Sequence, residues 1–233
     1  MTTLLAGHND ALSAEEAAVI VAKWPVELQR MFVISIRPER LTDFEKRLGP
    51  LCQYLTIVDG VDGHCLNPKR LQQQGIYEPR TKWNTLTRGE LGCFLSHRAI
   101  WAQVVQQKLP YAMIMEDDCL LRVNHAVSDY VNQVMDELRL GDPDWRVLFL
   151  SRNPTFAKNK KRASRTLFQV GRSWGLFCYA ISLSGARELL RRSSCITEAA
   201  DVFVSTANIG GKYASDKIIC GVNKSHSDTY TIR

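Results

Sequence analysis

The sequence predicts an α/β protein in which helices flank a mostly parallel central sheet. Three observations lead to this prediction. Short apolar segments of strand-like composition alternate with longer segments that have helical spacing or helix-capping residues. The segment at 111–115 is apolar without alternation, as strands of a parallel sheet are when both faces are buried. With 45% hydrophobic and 23% charged residues, the 233-residue chain can bury one sizeable core.

The N-terminal segment predicts a helix that precedes the sheet. Ser13 and Glu16 have the spacing of a capping box, and the alanine-rich sequence after them continues to Pro25. Because this helix comes before the first strand, we expect two units, an N-terminal helical arm at 1–29 and a main domain at 30–233.

Two strands with a helix between them are predicted next. The strands lie at 31–36 and 54–58. Between them, Pro38 and a charged segment predict an exposed helix that ends at Gly49. Two Asp-Gly pairs within 58–63 then predict tight turns, because aspartate supplies turn hydrogen bonds and glycine accepts a positive φ.

A long helix leads into the apolar strand. Thr87 and Glu90 have capping-box spacing, and an apolar stripe continues from them until Pro110. The strand at 111–115 follows directly. Further along the chain, the pattern predicts strands at 145–150 and 177–182 and helices at 126–140 and 184–193.

Three consecutive carboxylates, Glu116, Asp117 and Asp118, follow the strand at 111–115. They lie at its carboxyl end, which is where open α/β sheets bind ligands. Because side chains alternate along a strand, we expect Glu116 and Asp118 to share a face and Asp117 to point away. The alternative is a solvated acidic turn without a ligand.

Repulsion between these acids favours a divalent cation. Two carboxylates about 5 Å apart repel by roughly 3 kcal/mol at an effective dielectric constant near 20. One of them must therefore take up a proton, or a cation must neutralise them. Oxygen ligands favour Mg²⁺ or Mn²⁺, ions that commonly bind one or two carboxylates and leave positions for water and substrate phosphates.

The charge of the chain restricts the class of partner. A formal charge of +6 permits an anionic partner such as a nucleotide diphosphate, a membrane surface or nucleic acid. The basic segment at 158–165 lacks the interleaved aromatic residues of single-strand binders, which disfavours nucleic acid. We interpret this segment as a solvated surface loop; the alternative is a flexible lid or a contact to the acceptor.

Cysteine usage and hydropathy bear on the compartment. The seven cysteines occur singly, are odd in number and never have Cys-x-x-Cys spacing, so neither a disulfide framework nor a zinc site is predicted. No apolar run reaches the roughly 20 residues of a membrane span, and the chain does not begin with a signal-peptide pattern. We therefore expect a cytoplasmic protein with reduced, mostly buried thiols, whose positive charge allows peripheral contact with a membrane.

Motifs in five parts of the chain are each weak alone, but their order and spacing together are specific. They are an apolar strand with Arg37 and Arg40, Val-Asp-Gly at 61–63, Gly-Glu-Leu-Gly-Cys at 89–93 with Ser96 and His97, Met-Glu-Asp-Asp at 115–118, and a strand and helix at 179–190. Together they resemble glycosyltransferase family 25, whose members include bacterial lipooligosaccharide galactosyltransferases and collagen hydroxylysine galactosyltransferases. The resemblance covers about residues 31–230.

The resemblance implies a GT-A-like (Rossmann-like) fold and a metal-dependent inverting glycosyltransferase that moves a hexose. Its donor would be a UDP-sugar, with UDP-galactose the leading candidate, and its cofactor Mn²⁺ or Mg²⁺. Its acceptor would be a hydroxyl of a glycan or of another molecule. The alternative is a non-catalytic basic binding module on the same fold, with nucleic acid as one candidate partner.

The resemblance also implies roles for individual residues. The implied metal ligands are Glu116, Asp118 and His226. The implied donor-binding residues are Arg37, Arg40, Asp62, Gly63, Ser96, His97 and Asp117. A general base is required because a protonated sugar hydroxyl is a poor nucleophile, and alignment with the family's pattern places this base at Asp201.

Three of these residues also have a simpler interpretation. His97 could be a core histidine satisfied by a hydrogen bond. Asp201 could be a first-turn acid stabilised by the dipole of its own helix. His226 could be an exposed histidine of the C-terminal tail with no ligand.

Overall fold

The computed structural model describes residues 13–81, 85–151, 161–171 and 175–222. Within these ranges the chain forms an eight-stranded sheet and a separate two-stranded ribbon. The strands are β1 Met31–Ser35, β2 Leu55–Asp59, β3 Tyr111–Glu116, β4 Cys119–Leu121, β5 Val147–Phe149, β6 Lys161–Arg162, β7 Leu167–Gln169, β8 Cys178–Ser182, β9 Lys212–Ser215 and β10 Cys220–Val222. The order of the large sheet is β2-β1-β3-β8-β5-β9-β7-β6, and the ribbon pairs β10 with β4.

Helices connect β1 to β2, β2 to β3, β4 to β5 and β8 to β9. The helices are α1 Ala14–Ala22, α2 Val26–Gln29, α3 Pro38–Leu48, α4 Pro68–Gln73, α5 Arg88–Gln106, α6 His125–Gly141, α7 Leu183–Arg192 and α8 Ala200–Thr206, with short 3₁₀ turns at Gly49–Tyr54 and Gly63–Cys65. Among the described residues, none of the helices combines the length and the apolar character that crossing a membrane requires.

Strand directions make the sheet mixed but mostly parallel. β2, β1 and β3 are parallel neighbours, as are β5 and β9. β8 lies between β3 and β5 and is antiparallel to both. In the described part of the chain, the pairings give six strands one direction and reverse β7 and β8. The predicted α/β class, with helices flanking a mostly parallel sheet, is confirmed.

Helices cover both faces of the sheet because strand residues alternate between two apolar cores. On one face, Val33 and Met113 pack in a core that also receives residues of α1, α2, α3 and α6. On the other face, Phe32 and Ile114 pack with residues of α5, α7 and α8. β1, β5 and β8 are consequently buried along their whole length.

Both predicted capping boxes are confirmed. At the start of α1, the Ser13 side chain accepts a hydrogen bond from the Glu16 backbone, and the Glu16 carboxylate accepts one from the Ser13 backbone. Thr87 and Glu90 make the same reciprocal pair at the start of α5. Each box satisfies two N–H groups that the first helical turn would leave unpaired, so the start of α5 is fixed.

The described part of the N-terminal segment packs against the sheet. Trp24 and Leu28 lie in the same core as β1 and β3. Glu27, which is buried, accepts two hydrogen bonds from the Arg139 guanidinium at 2.6 and 2.7 Å, and this pair joins α2 to α6. The boundary that we place at residue 29 stays a prediction.

The acidic segment turns earlier than the sequence indicates. β3 ends at Glu116, residues 117–118 form a turn, and β4 begins at Cys119. The alternation rule of a strand therefore does not extend to Asp117 and Asp118. Their exposed fractions are only 5% and 4%, so the alternative of a solvated acidic turn is wrong. Three-residue strands such as β4 are too short to give a periodic signal.

Candidate functional site

The candidate site lies at the carboxyl ends of the neighbouring parallel strands β1 and β3. The turn after β3 is tied to β1, because the Asp117 backbone N–H donates to the carbonyl of Ile34 at 3.1 Å. This edge of the sheet brings together three carboxylates whose surroundings differ.

The charge of Asp117 is compensated on several sides. The Ser35 hydroxyl donates to its Oδ2 at 2.7 Å, and the Arg40 guanidinium forms an ion pair with its Oδ1. Its main-chain carbonyl accepts a hydrogen bond from Nη2 of Arg47 at 2.9 Å. Helix α3 supplies both arginines, so this helix holds the acidic turn in place. Two predicted donor-binding residues, Arg40 and Asp117, are thus paired with each other.

Asp118 is as buried as Asp117 but lacks such compensation. Its Oδ1 is buried and has no hydrogen-bond partner among the described residues. Burial raises the pKa of Asp118 to about 8, the negative charge of Glu116 adds to the rise, and the positive charge of Arg40 opposes it. A buried carboxylate in this state is costly when ionised, and a cation beside it would remove that cost.

Glu116, the last residue of β3, lies between the core and the solvent. Its backbone N–H donates to the carbonyl of Phe177 at 3.0 Å, and its side chain is 24% exposed. The carboxylate Oε1 lies 3.2 Å from Nε2 of His97 and 3.9 Å from the sulfur of Cys93. The ligand atoms of Cys93, His97 and Glu116 all lie within 4.8 Å of one another.

His97 has no exposed surface and is part of a buried polar chain. Its Nδ1 lies 3.1 Å from the hydroxyl oxygen of Tyr179. The same hydroxyl oxygen accepts a hydrogen bond from the indole N–H of Trp101 at 2.8 Å. The structure therefore places His97 in the core, with its Nε2 edge directed at Glu116.

Ser96, by contrast, attaches the loop after β2 to helix α5. Its hydroxyl accepts a hydrogen bond from the Val61 backbone at 2.8 Å and donates to the Gly92 carbonyl at 2.7 Å. A Cβ on Gly63 would lie 2.4 Å from the Arg88 carbonyl oxygen, and one on Gly92 would lie 2.4 Å from the Val61 carbonyl oxygen. The two glycines of the motifs are needed because loop and helix backbones touch.

Asp62 and Arg37 occupy turn and cap positions near the same edge. The Asp62 carboxylate accepts a hydrogen bond from the His64 backbone at 2.8 Å and so caps the 3₁₀ turn. Arg37 is the N-cap residue of α3, and its carbonyl lies 3.2 Å from the Ser35 hydroxyl, whose single proton goes to Asp117. Both residues are partly exposed, so their side chains can reach a ligand.

Asp201 lies in the first turn of α8, close enough to the acidic turn to be affected by its charge. Its carboxylate accepts hydrogen bonds from the backbones of Gly175, at 3.1 Å, and Val202, at 2.7 Å. Burial raises its pKa, these two bonds lower it, and the charges of Glu116 and Glu90 raise it further. The bond to Val202 shows that Asp201 also fits the simpler interpretation as a first-turn acid.

Some of the predicted features lie outside the described residues. These are His226, residues 158–160 of the basic segment at 158–165, and the whole C-terminal tail after 222. The predicted metal ligand His226 therefore has no described position.

The structure also brings together three cysteines that sequence spacing does not connect. Cys119, Cys178 and Cys220 lie on β4, β8 and β10, and their sulfurs are within 4.8 Å of one another. Burial raises the pKa of all three well above that of an ordinary thiol. They are protonated and pack as small apolar residues in the core behind the acidic turn.

Comparisons with known proteins agree with the motifs. The family model described as "Glycosyltransferase family 25 (LPS biosynthesis protein)" matches residues 28–204. Procollagen galactosyltransferase 1 of Danio rerio is 32% identical over 196 residues, which are 76% of this chain and 31% of that protein. Procollagen galactosyltransferase 2 of Homo sapiens is 29% identical, over 73% of this chain and 29% of that protein.

Other relatives of similar identity bear a different name. Inactive glycosyltransferase 25 family member 3 of Mus musculus is 31% identical over 188 residues, which are 75% of this chain and 31% of that protein. The chain thus spans about a third of the length of the curated relatives it matches. Among solved structures, mannose-1-phosphate geranyltransferase from Thermus thermophilus has a TM-score of 0.41 at 10% identity, covering 84% of this chain and 76% of that chain.

Proposed function

Because this chain belongs to glycosyltransferase family 25, we propose that it transfers a hexose, with galactose the leading candidate, from a UDP-sugar to a hydroxyl of a glycan or another acceptor. The observation that carries the proposal is the buried and uncompensated carboxylate of Asp118 beside Glu116. Strongly shifted carboxylates of this kind concentrate at functional sites.

The acidic turn fits the divalent cation that the family implies. Asp118 has a buried oxygen that no other described residue hydrogen-bonds, and the partly exposed Glu116 brings a second carboxylate. Two carboxylates with room left for water and phosphate oxygens form the ligand set that Mn²⁺ and Mg²⁺ prefer. When bound, such a cation would act as a Lewis acid that neutralises charge on the departing diphosphate, an effect of several kcal/mol.

The surrounding residues keep this turn rigid and electrostatically balanced. The ion pair of Arg40 with Asp117 fixes the turn to α3, and Ser96 fixes the loop carrying Asp62 to α5. Arg37 and Asp62, both partly exposed at the same edge, remain our candidates for contacts with the nucleotide sugar. A rigid site of this kind is the usual support for precise substrate placement.

Asp201 is our candidate for the general base. Its pKa is raised by burial, which makes the carboxylate a better proton acceptor near neutral pH. In the proposed step, Asp201 takes the proton of the acceptor hydroxyl while the acceptor oxygen bonds to the anomeric carbon. The bond from that carbon to the UDP oxygen breaks on the opposite face, so the configuration is inverted.

A second candidate function is that of a non-catalytic family member. It is favoured by the names of several relatives, which are called inactive or probably inactive, at 30–32% identity. Such a protein would bind a sugar nucleotide or another anionic partner without transferring the sugar. The cytoplasmic location and the peripheral membrane contact stay predictions under either function.

A panel of nucleotide sugars separates the two functions. We expect one UDP-sugar, with Mn²⁺, to raise the melting temperature of the protein and to be hydrolysed slowly in the absence of acceptor. Stabilisation without hydrolysis or transfer would support the non-catalytic function. No stabilisation by any UDP-sugar, with salt-sensitive binding to single-stranded DNA instead, would contradict the transferase and support the non-catalytic function in the form of a basic binding module.

A further inference from the structure

Four side chains form a continuous hydrogen-bonded chain from the core to the acidic turn. Trp101 contacts Tyr179 at 2.8 Å, Tyr179 contacts His97 at 3.1 Å, and His97 contacts Glu116 at 3.2 Å. The first three residues have no exposed surface, whereas Glu116 reaches the site. The chain crosses from α5 to β8, back to α5 and on to β3.

The chemistry of the two ends fixes the direction of every bond between them. The Trp101 indole N–H can only donate, and the Glu116 carboxylate can only accept. Nε2 of His97 must therefore carry a proton, which it donates to Glu116. In the neutral ring Nδ1 is then unprotonated, so it accepts a hydrogen bond from the Tyr179 O–H, whose oxygen accepts from Trp101.

Aromatic packing holds these rings in place. The Trp101 ring contacts Phe94 edge-on, with centroids 6.0 Å apart, and stacks on Phe203 at 6.1 Å. The His97 ring lies beside both Trp101 and Tyr179, with centroids 6.4 and 5.7 Å away. Buried rings packed on all sides keep one rotamer, so the histidine edge that faces Glu116 is fixed.

We propose that His97 is a positioning residue: with Tyr179 and Trp101 behind it, it orients the carboxylate of Glu116 for a divalent cation. This inference rests on the proposed function, since it needs a cation at the acidic turn. It replaces the predicted contact of His97 with the donor, because a ring without exposed surface acts through its neighbour. Hydrogen-bond partners behind metal ligands commonly contribute about 10- to 100-fold in metal affinity or activity.

The test compares Tyr179→Phe, His97→Leu and His97→Gln with the wild-type protein. Calorimetric titration measures Mn²⁺ affinity in the presence of UDP, and donor hydrolysis measures kcat at saturating Mn²⁺. We expect His97→Leu to weaken Mn²⁺ binding by about 10- to 100-fold and Tyr179→Phe by about 10-fold. His97→Gln keeps an N–H donor for Glu116, so we expect it to recover part of the affinity, with kcat at saturating Mn²⁺ changed least.

Tyr213→Phe is the matched control. Tyr213 is also a buried tyrosine, and its hydroxyl donates to the Asp142 carboxylate at 2.9 Å, away from the acidic turn. We expect it to lower the melting temperature as Tyr179→Phe does, but to leave Mn²⁺ affinity unchanged. Equal Mn²⁺ affinities in Tyr179→Phe, His97→Leu and Tyr213→Phe would overturn the positioning role.

A measurement on the metal-free protein separates this inference from the proposed function. Long-range ¹H–¹⁵N NMR spectra identify the tautomer of each histidine ring, and His97→Gln assigns the signal of His97. We expect a neutral ring with its proton on Nε2. Another tautomer would overturn the hydrogen-bonded chain and leave the proposed function standing. A wild-type protein that does not bind Mn²⁺ with UDP would overturn the proposed function and the positioning role together.

Discussion

Asp117 and Asp118 are neighbours in the chain and are almost equally buried, yet their surroundings are opposite. Asp117 is paired with Arg40 and Ser35, while its carbonyl accepts a hydrogen bond from Arg47. Asp118 has a raised pKa and a buried oxygen that has no hydrogen-bond partner among the described residues. A fold tolerates such a costly group when the group serves function. We therefore propose that Asp117 stabilises the turn and that Asp118 binds the divalent cation.

The largest effect that we expect from this comparison is on catalysis. Asp118→Asn removes one carboxylate from the proposed cation site, so the proposed cation would neutralise the charge on the departing diphosphate less well. A loss of several kcal/mol in the transition state lowers the rate of hexose transfer about a thousandfold. Initial rates of transfer at saturating donor measure this loss, and a rate within threefold of wild type would place the cation elsewhere.

Asp201 offers an intermediate case, because this buried acid has two backbone hydrogen bonds but also a raised pKa. We expect Asp201→Asn to lower transfer about a hundredfold or more, as the loss of a general base does. The affinity for UDP with Mn²⁺ should stay within a factor of two. Unimpaired transfer would leave Asp201 as a structural acid of the first turn.

For stability the expected order is reversed, because substituting Asp117 should lower the free energy of unfolding more than substituting Asp118. Asp117→Ala leaves the poorly exposed Arg40 guanidinium without its carboxylate, and breaking a buried pair in this way typically lowers the free energy of unfolding by about 3 kcal/mol. Asp118→Ala removes a group that has no such pair. Urea denaturation at pH 7 without metal measures both values, and a larger loss for Asp118→Ala than for Asp117→Ala would break the comparison.

The pH dependence of stability sharpens the same point for Asp118 alone. Folding raises the pKa of Asp118 from 3.8 to about 8, so between these values the folded state binds the proton that the unfolded state has lost. The stability from this group is therefore full below pH 3.8 and is lost as pH rises towards 8, with a slope of at most about 1.4 kcal/mol per pH unit.

Asp118→Asn isolates this contribution. The free energy of unfolding of the wild-type protein minus that of Asp118→Asn should fall from pH 5 to pH 8 without metal, and it should level off above pH 8. A difference that is constant with pH would show that Asp118 is ionised in the folded protein throughout this range.

Local signals explain which parts of the fold could be predicted from the sequence. The two capping boxes, the strand at 111–115 and the helix before it are encoded within a few residues, and the structure has all of them. The short strands β4 and β10 and the reversed direction of β8 depend on distant pairing, and no local pattern carries that information.

The same limit applies to the site. The motifs give the residue types at the acidic turn, but the arginines that compensate Asp117 come from a helix 70 and 77 residues earlier. His97 meets Tyr179 across a separation of 82 residues. Which of the two aspartates is paired with an arginine is thus decided by the packing. The sequence signal for this site is the apolar strand that leads directly into the three acids.

Calorimetric titration of Mn²⁺ in the presence of UDP tests the central claim most directly. Wild-type protein, Asp117→Asn and Asp118→Asn are compared at pH 8, with melting temperatures measured to show that each is folded. We predict that Asp117→Asn binds Mn²⁺ with UDP within a few-fold of wild type and that Asp118→Asn loses binding by about 100-fold or more. Equal binding by Asp118→Asn and the wild-type protein would contradict the assignment of Asp118 to the cation.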